Sequence, residues 1–88
     1  MSLTDSFQDA QKRVTTLSEA PSNDEMLSLY ALFKQASKGD ADGKRPGMLD
    51  FVARAKYDAW ATKKGLSTDQ AMQAYIDLVN ELFRKAGK

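Results

Sequence analysis

The chain contains neither cysteine nor histidine. Without thiols it can form no disulfide, which is compatible with a reducing compartment. Without imidazole or thiolate the common zinc sites and the usual nucleophile–base pairs are missing, and any chemistry would fall to Asp, Glu, Lys, Ser, Thr and Tyr. An excess of one charge is absent too: 13 basic and 12 acidic residues leave a formal charge of +1. That is not the basic surplus of a protein held to nucleic acid through its phosphates. No window approaches the ~20 apolar residues of a membrane span. The start, Met1-Ser2-Leu3-Thr4-Asp5, has neither the basic opening nor the apolar run of a signal peptide. Strand-like alternation is lacking throughout. These absences predict a soluble, cytoplasmic protein that is not an enzyme, binds no nucleic acid and inserts stably into no membrane, and 88 residues without a composition break predict one domain, 1–88.

What is present is helical periodicity. Leu3, Phe7, Ala10, Val14 and Leu17 recur at three-four spacing and predict an amphipathic helix from about Thr4 to about Ser18. Asp5 and Asp9 come early in it, Lys12 and Arg13 late, as the helix dipole favours. Pro21 breaks the pattern, and Ser22 with Glu25 matches a capping box that starts a second helix through Met26, Leu29, Tyr30, Leu32, Phe33 and Ala36. Gly39 is suited to end it. Asp50 is a candidate N-cap for a third helix ending at Lys63-Lys64-Gly65. Ser67 with Gln70 forms another capping box, Leu66 and Ala71 a hydrophobic staple, and an apolar stripe runs from Met72 to Phe83 before Arg84-Lys85. Short connections, apart from the loop between the second and third helices, predict an all-α four-helix bundle. Periodicity alone leaves its connectivity open.

Tyr30 and Lys34 lie one helical turn apart on one face, with Met26 a turn before them, while Lys56, Tyr57 and Trp60 supply a cation and two rings from the next helix. Phosphates and a flat ring would suit that set, although such residues more often sit at the solvated edge of a bundle. The wording of the segments is more specific: Tyr30-Ala-Leu-Phe-Lys34-Gln35-Ala36, Gly39-Asp40, Arg45-Pro46-Gly47-Met48-Leu49-Asp50-Phe51, Ala55-Lys56-Tyr57-Asp58-Ala59-Trp60 and Ala71-Met72-Gln73-Ala74-Tyr75-Ile76. Together, in this order, they closely resemble the acyl-CoA-binding protein family, from about Phe7 to about Gly87.

The resemblance implies an up-down-down-up bundle in which the long loop carries the chain across, so that two successive helices run the same way. It implies a coenzyme A head-group site at Tyr30, Phe33, Lys34, Lys56 and Tyr75, with both lysines on phosphates, and an acyl groove that includes Ala10, Met26 and Leu27. Trp60 is read mainly as core, and Tyr57 stands where the family usually has tryptophan. Phe33 replaces a common tyrosine, keeping the ring and losing the hydroxyl. Thr15 and Val52 stand where the family often has lysine, which takes positive charge from the head-group side. Asp40-Ala41-Asp42-Gly43 looks like the start of a calcium loop, but Lys44-Arg45-Pro46 follows and the later acidic ligands are missing, so no metal is expected. The loop reads as a crossover tied down by Arg45 and Asp50.

On this reading the protein is a monomer that carries medium- to long-chain acyl-CoA as its ligand, needs no cofactor and makes transient contact with acyl-CoA-using enzymes. Two rivals fit the same residues. One is an accessory domain delivering acyl-CoA to a separate enzyme, since the family's domain also occurs fused to catalytic domains. The other is a structural interaction bundle with aromatics inside and lysines outside.

Overall fold

A computed structural model describes residues 2–87 and contains α1 (Leu3–Val14), α2 (Asn23–Lys38), α3 (Phe51–Ala61) and α4 (Thr68–Gly87). The first helix is capped by Ser2, a signal not read from the sequence, whose hydroxyl accepts the Asp5 amide at 3.1 Å. The other start signals act as read. Ser22 and Glu25 close their capping box at 3.2 and 2.8 Å, and Ser67 and Gln70 close theirs at 3.1 and 2.9 Å. Each box satisfies amide donors that the first turn of a helix leaves unpaired.

The ends differ from expectation. α1 stops at Val14 rather than near Ser18, because the Thr15 and Thr16 hydroxyls donate to the carbonyls of Lys12 and Arg13, both at 2.7 Å. The backbone there tightens to three-residue hydrogen bonds, so the helical apolar spacing outlasts the α-helix. α3 likewise ends at Ala61, and a tightened turn leads to Gly65, whose φ of +97° glycine adopts without a Cβ penalty. α4 runs past Arg84-Lys85 to Gly87.

Helix directions follow from which residues meet. Phe7 touches Tyr75, and Arg13 donates to Asn80, so α1 and α4 are parallel. Lys85 at the end of α4 pairs with Glu25 at the start of α2, while Gln35 near the end of α2 donates to the Leu66 carbonyl just before α4, so α2 and α4 are antiparallel. Tyr30 meets Lys56, and Lys34 meets Trp60, so α2 and α3 run the same way. The bundle is therefore up-down-down-up.

Phe7, Ala10, Leu29, Leu32, Ala36, Ala71, Tyr75, Val79 and Leu82 make the core, drawn from α1, α2 and α4 alone. Among the described helices, α3 packs on α2 alone. It adds a single buried residue, Trp60, and is held instead by the 39–50 loop. Trp60 Nε1 donates to the Gly39 carbonyl at 2.8 Å, and the Tyr57 hydroxyl donates to the Gly43 carbonyl at 3.2 Å. Arg45 clamps Asp58 with two hydrogen bonds of 2.8 and 2.7 Å. Arg45 and Asp50 hold the loop through separate partners: Asp50 caps α3 through the Ala53 amide, and Asp58, two turns into the helix, offers both carboxylate oxygens to the Arg45 guanidinium fork.

A knot at the end of α2 closes the arrangement. Gln35, almost fully buried, donates to Asp40 at 2.7 Å and to the Leu66 carbonyl at 2.9 Å, and Asp40 also accepts the Gly65 amide at 2.9 Å. The Gly65 amide first, and then the Gln35 side chain, hold the Asp40 carboxyl below the ordinary aspartate range. A depressed carboxylate pKa gives stability that is present near neutrality and lost as pH falls below about 4. Asp40→Asn is expected to melt at a lower temperature than the wild type at pH 7, with the gap narrower at pH 2, as acid drives protons onto the wild-type carboxylate. Thermal scans by circular dichroism at the two pH values check this; a gap of constant size would mean that the charge contributes nothing.

Candidate functional site

The parallel run of α2 and α3 leaves an open groove of about 570 Å³ between their first halves. Asn23, Met26, Leu27 and Tyr30 form one wall, and Phe51, Val52, Ala55 and Lys56 the other. Both walls follow three-four spacing, which is why each helix turns one stripe to the gap. Apart from Asn23 and Lys56, the lining is apolar or aromatic. Met26 is 53% exposed and Leu27 partly exposed, so neither serves as ordinary core.

At one end, two cation-over-ring pairs cross between the helices. Lys56 Nζ lies 5.4 Å from the Tyr30 ring centroid, and one turn further on Lys34 Nζ lies 5.0 Å from that of Trp60. Lys38 approaches the same indole at 5.8 Å. The ion pairs found among the described residues include neither Lys34 nor Lys56, so both charges remain available to an anion. The site is thus an apolar trough leading to a pair of ring-braced ammonium groups. It offers burial to a hydrocarbon chain and charge to phosphate. Among the described residues no cluster could hold a metal ion, and no helix is long and apolar enough to cross a membrane.

The sequence matches the family model described as acyl CoA binding protein over residues 4–79. The chain belongs to the acyl-CoA-binding protein family. It is 53% identical to acyl-CoA-binding protein homolog 1 of Caenorhabditis elegans over 85 residues, covering 97% of this chain and 99% of the relative. It is 50% identical to the acyl-CoA-binding protein homolog of Manduca sexta over 88 residues, covering 99% and 98%. The fold superposes on the crystal structure of acyl-CoA-binding protein 2 of Oryza sativa with a TM-score of 0.93 at 36% identity, covering 98% of this chain and 96% of that one.

The family's implied site residues fall into two groups in this chain. Tyr30, Lys34, Lys56, Met26 and Leu27 are brought together along the α2–α3 seam. Phe33, Tyr75 and Ala10 lie elsewhere. Phe33, 37% exposed, stacks on Phe7 at 6.2 Å, and Phe7 meets the edge of Tyr75 at 5.1 Å, making an aromatic column where α2 crosses α1 and α4. Tyr75 is only 6% exposed, and burial pushes its phenol above the ordinary tyrosine value. Ala10 has no exposed surface and does not line the groove.

Both departures from the family's lysines have a place. Thr15 ends α1 through its bond to the Lys12 carbonyl. Val52 is one turn before Lys56, on the apolar wall beside Phe51 and at the end of the groove away from Lys34. The resemblance implies that it takes positive charge from the head-group side; in the structure it lines the apolar wall. Sequence reasoning had missed Phe51 and Ala55 as lining residues. Their three-four relation to Lys56 and Val52 was visible, but only the packing of α3 on α2 tells which stripe faces the gap.

Proposed function

We propose that this protein binds medium- to long-chain acyl-CoA esters as an intracellular carrier that makes and breaks no bond. The carrying observation is the continuity of the apolar groove with the two ring-braced lysines, since an acyl-CoA is one molecule with a hydrocarbon end and a phosphate end. The names of the relatives, acyl-CoA-binding protein homologs, agree with it. On this reading Lys34 and Lys56 take phosphate, Tyr30 lies against the nucleotide, and Met26, Leu27, Phe51, Val52 and Ala55 take methylenes.

Energetics say why both ends are needed. At ~0.8 kcal/mol per buried methylene, a chain of about sixteen carbons contributes ~12 kcal/mol at most, against ~4 to 15 kcal/mol lost on association. The trough is open on one side, so the chain alone does not reach that maximum. The phosphate contacts make up the difference.

Calorimetric titration with palmitoyl-CoA, free CoA and palmitate tests the proposal. The expected result is one palmitoyl-CoA per monomer, much weaker binding of CoA, and none of palmitate. Palmitate binding as tight as that of palmitoyl-CoA would remove the lysines from the site, and no binding of any of the three would leave the bundle as an interaction module.

A further inference from the structure

Exposed large apolar side chains are concentrated at one place. Met48, Leu49, Phe51 and Val52 are 74%, 93%, 75% and 67% exposed, whereas Met26 and Phe33 are the other large hydrophobics exposed among the described residues. The cause is local. A turn closes between the Gly47 carbonyl and the Asp50 amide at 3.1 Å, which puts Met48 and Leu49 at its two central positions. Those positions ordinarily go to Gly, Pro, Asn, Asp or Ser, and a side chain there points away from the body of the protein. The first turn of α3 then adds Phe51 and Val52. This corner is held in place, because Tyr57 binds the Gly43 carbonyl and Arg45 clamps Asp58 on either side of the loop and helix.

We propose that this corner docks on an anionic lipid bilayer. Single exposed apolar residues are ordinary; four in a stretch of five, on a fixed turn, mark a surface that something covers. Charge decides what. The cations around the corner, Lys44, Arg54 and Lys56, belong to no ion pair found among the described residues. The nearby acids are engaged: Asp42 faces Lys38 at 3.8 Å, Asp58 is held by Arg45, and Asp50 caps α3. Apolar side chains for the acyl boundary, rimmed by free cations for anionic headgroups, are what interfacial binding needs.

The corner is also continuous with the groove, since Phe51 and Val52 belong to both. Resting on the acyl-CoA reading, this continuity means that a docked molecule presents the open trough to the lipid, and an acyl chain passes between them without crossing water. Met48 and Leu49 do not line the groove, so docking and ligand binding can be separated by mutation.

Sedimentation with sucrose-loaded vesicles tests the docking. The wild type is expected to pellet with phosphatidylcholine vesicles containing about 30% phosphatidylserine, much less with phosphatidylcholine alone, and less as salt rises. The double variant Met48→Ser/Leu49→Ser should bind the anionic vesicles about tenfold more weakly. Its affinity for palmitoyl-CoA, titrated without vesicles, should match the wild type. The docking is overturned if the wild type stays in the supernatant with anionic vesicles, or if the double variant pellets equally. It is overturned too if velocity sedimentation shows a wild-type dimer that the double variant loses, which would make a second copy the cover. Failure of the acyl-CoA reading shows separately, as loss of wild-type titration heat with vesicle binding intact.

Discussion

Lys56→Ala is expected to weaken acyl-CoA binding by a similar factor for every chain length, roughly ten- to a hundredfold, as the loss of a charge-assisted hydrogen bond of ~1.5 to 3 kcal/mol implies. The side chain is exposed and braced only by the Tyr30 ring, so its removal should barely alter the fold. The phosphate it would meet is common to all the esters, so the loss should not depend on the tail. Met26→Ser supplies the contrast. At 53% exposure in the groove wall it holds up little of the core. A polar atom in its place should penalise palmitoyl-CoA more than short esters and leave free CoA almost unchanged. Titrations over a series of chain lengths read both patterns. Unchanged binding in Lys56→Ala, or an equal loss for CoA and palmitoyl-CoA in Met26→Ser, would undo the division of the groove into a charged and an apolar end.

The largest stability effect is expected at Tyr75. Its ring meets Phe7 inside the α1–α2–α4 core, Phe7 in turn stacking on the more exposed Phe33, and truncating a buried aromatic to alanine costs about 3 to 5 kcal/mol. For a domain of this size that is a large part of the total, and urea unfolding of Tyr75→Ala should show a severely destabilised or unfolded chain. Tyr75→Phe should behave otherwise. It keeps the ring, so stability at pH 7 should stay within about 1 kcal/mol of the wild type. Above pH ~10 the unfolded wild type gains by ionising a phenol that burial keeps neutral in the native state, so stability falls there, and Tyr75→Phe should lose that part of the fall. The family's assignment of this tyrosine to the head group makes a further demand. Palmitoyl-CoA affinity of the folded Tyr75→Phe protein should drop severalfold, as for the loss of one neutral hydrogen bond of about 0.5 to 1.5 kcal/mol. An unchanged affinity would leave Tyr75 with the core alone.

Helix starts were legible because their signals are local: Ser22 with Glu25, Ser67 with Gln70 and Asp50 each act within one turn of themselves. Helix ends were less so. The Thr15 and Thr16 hydroxyls compete for carbonyls that the apolar spacing cannot register. The segment wording disclosed the family, yet it could not sort the named residues by place. Tyr30 and Tyr75 are equally good aromatics on helical stripes, but one opens on the groove and the other is shut into the core.

The sequence by itself determined the number of helices, their starting points and their apolar faces, because caps and periodicity depend on neighbours within a few residues. It also excluded disulfides and imidazole or thiolate ligands, since missing histidine and cysteine need no fold to be missing. Only the tertiary structure decided that α3 is tied to the 39–50 loop through Trp60, Tyr57 and Arg45, and that Lys34 and Lys56 come to lie one turn apart on one seam. It alone set Val52 in an apolar wall and turned Met48 and Leu49 out to solvent. The reason is physical: which stripe of a helix faces which neighbour is settled by contacts between residues more than twenty positions apart, and no local pattern holds that information.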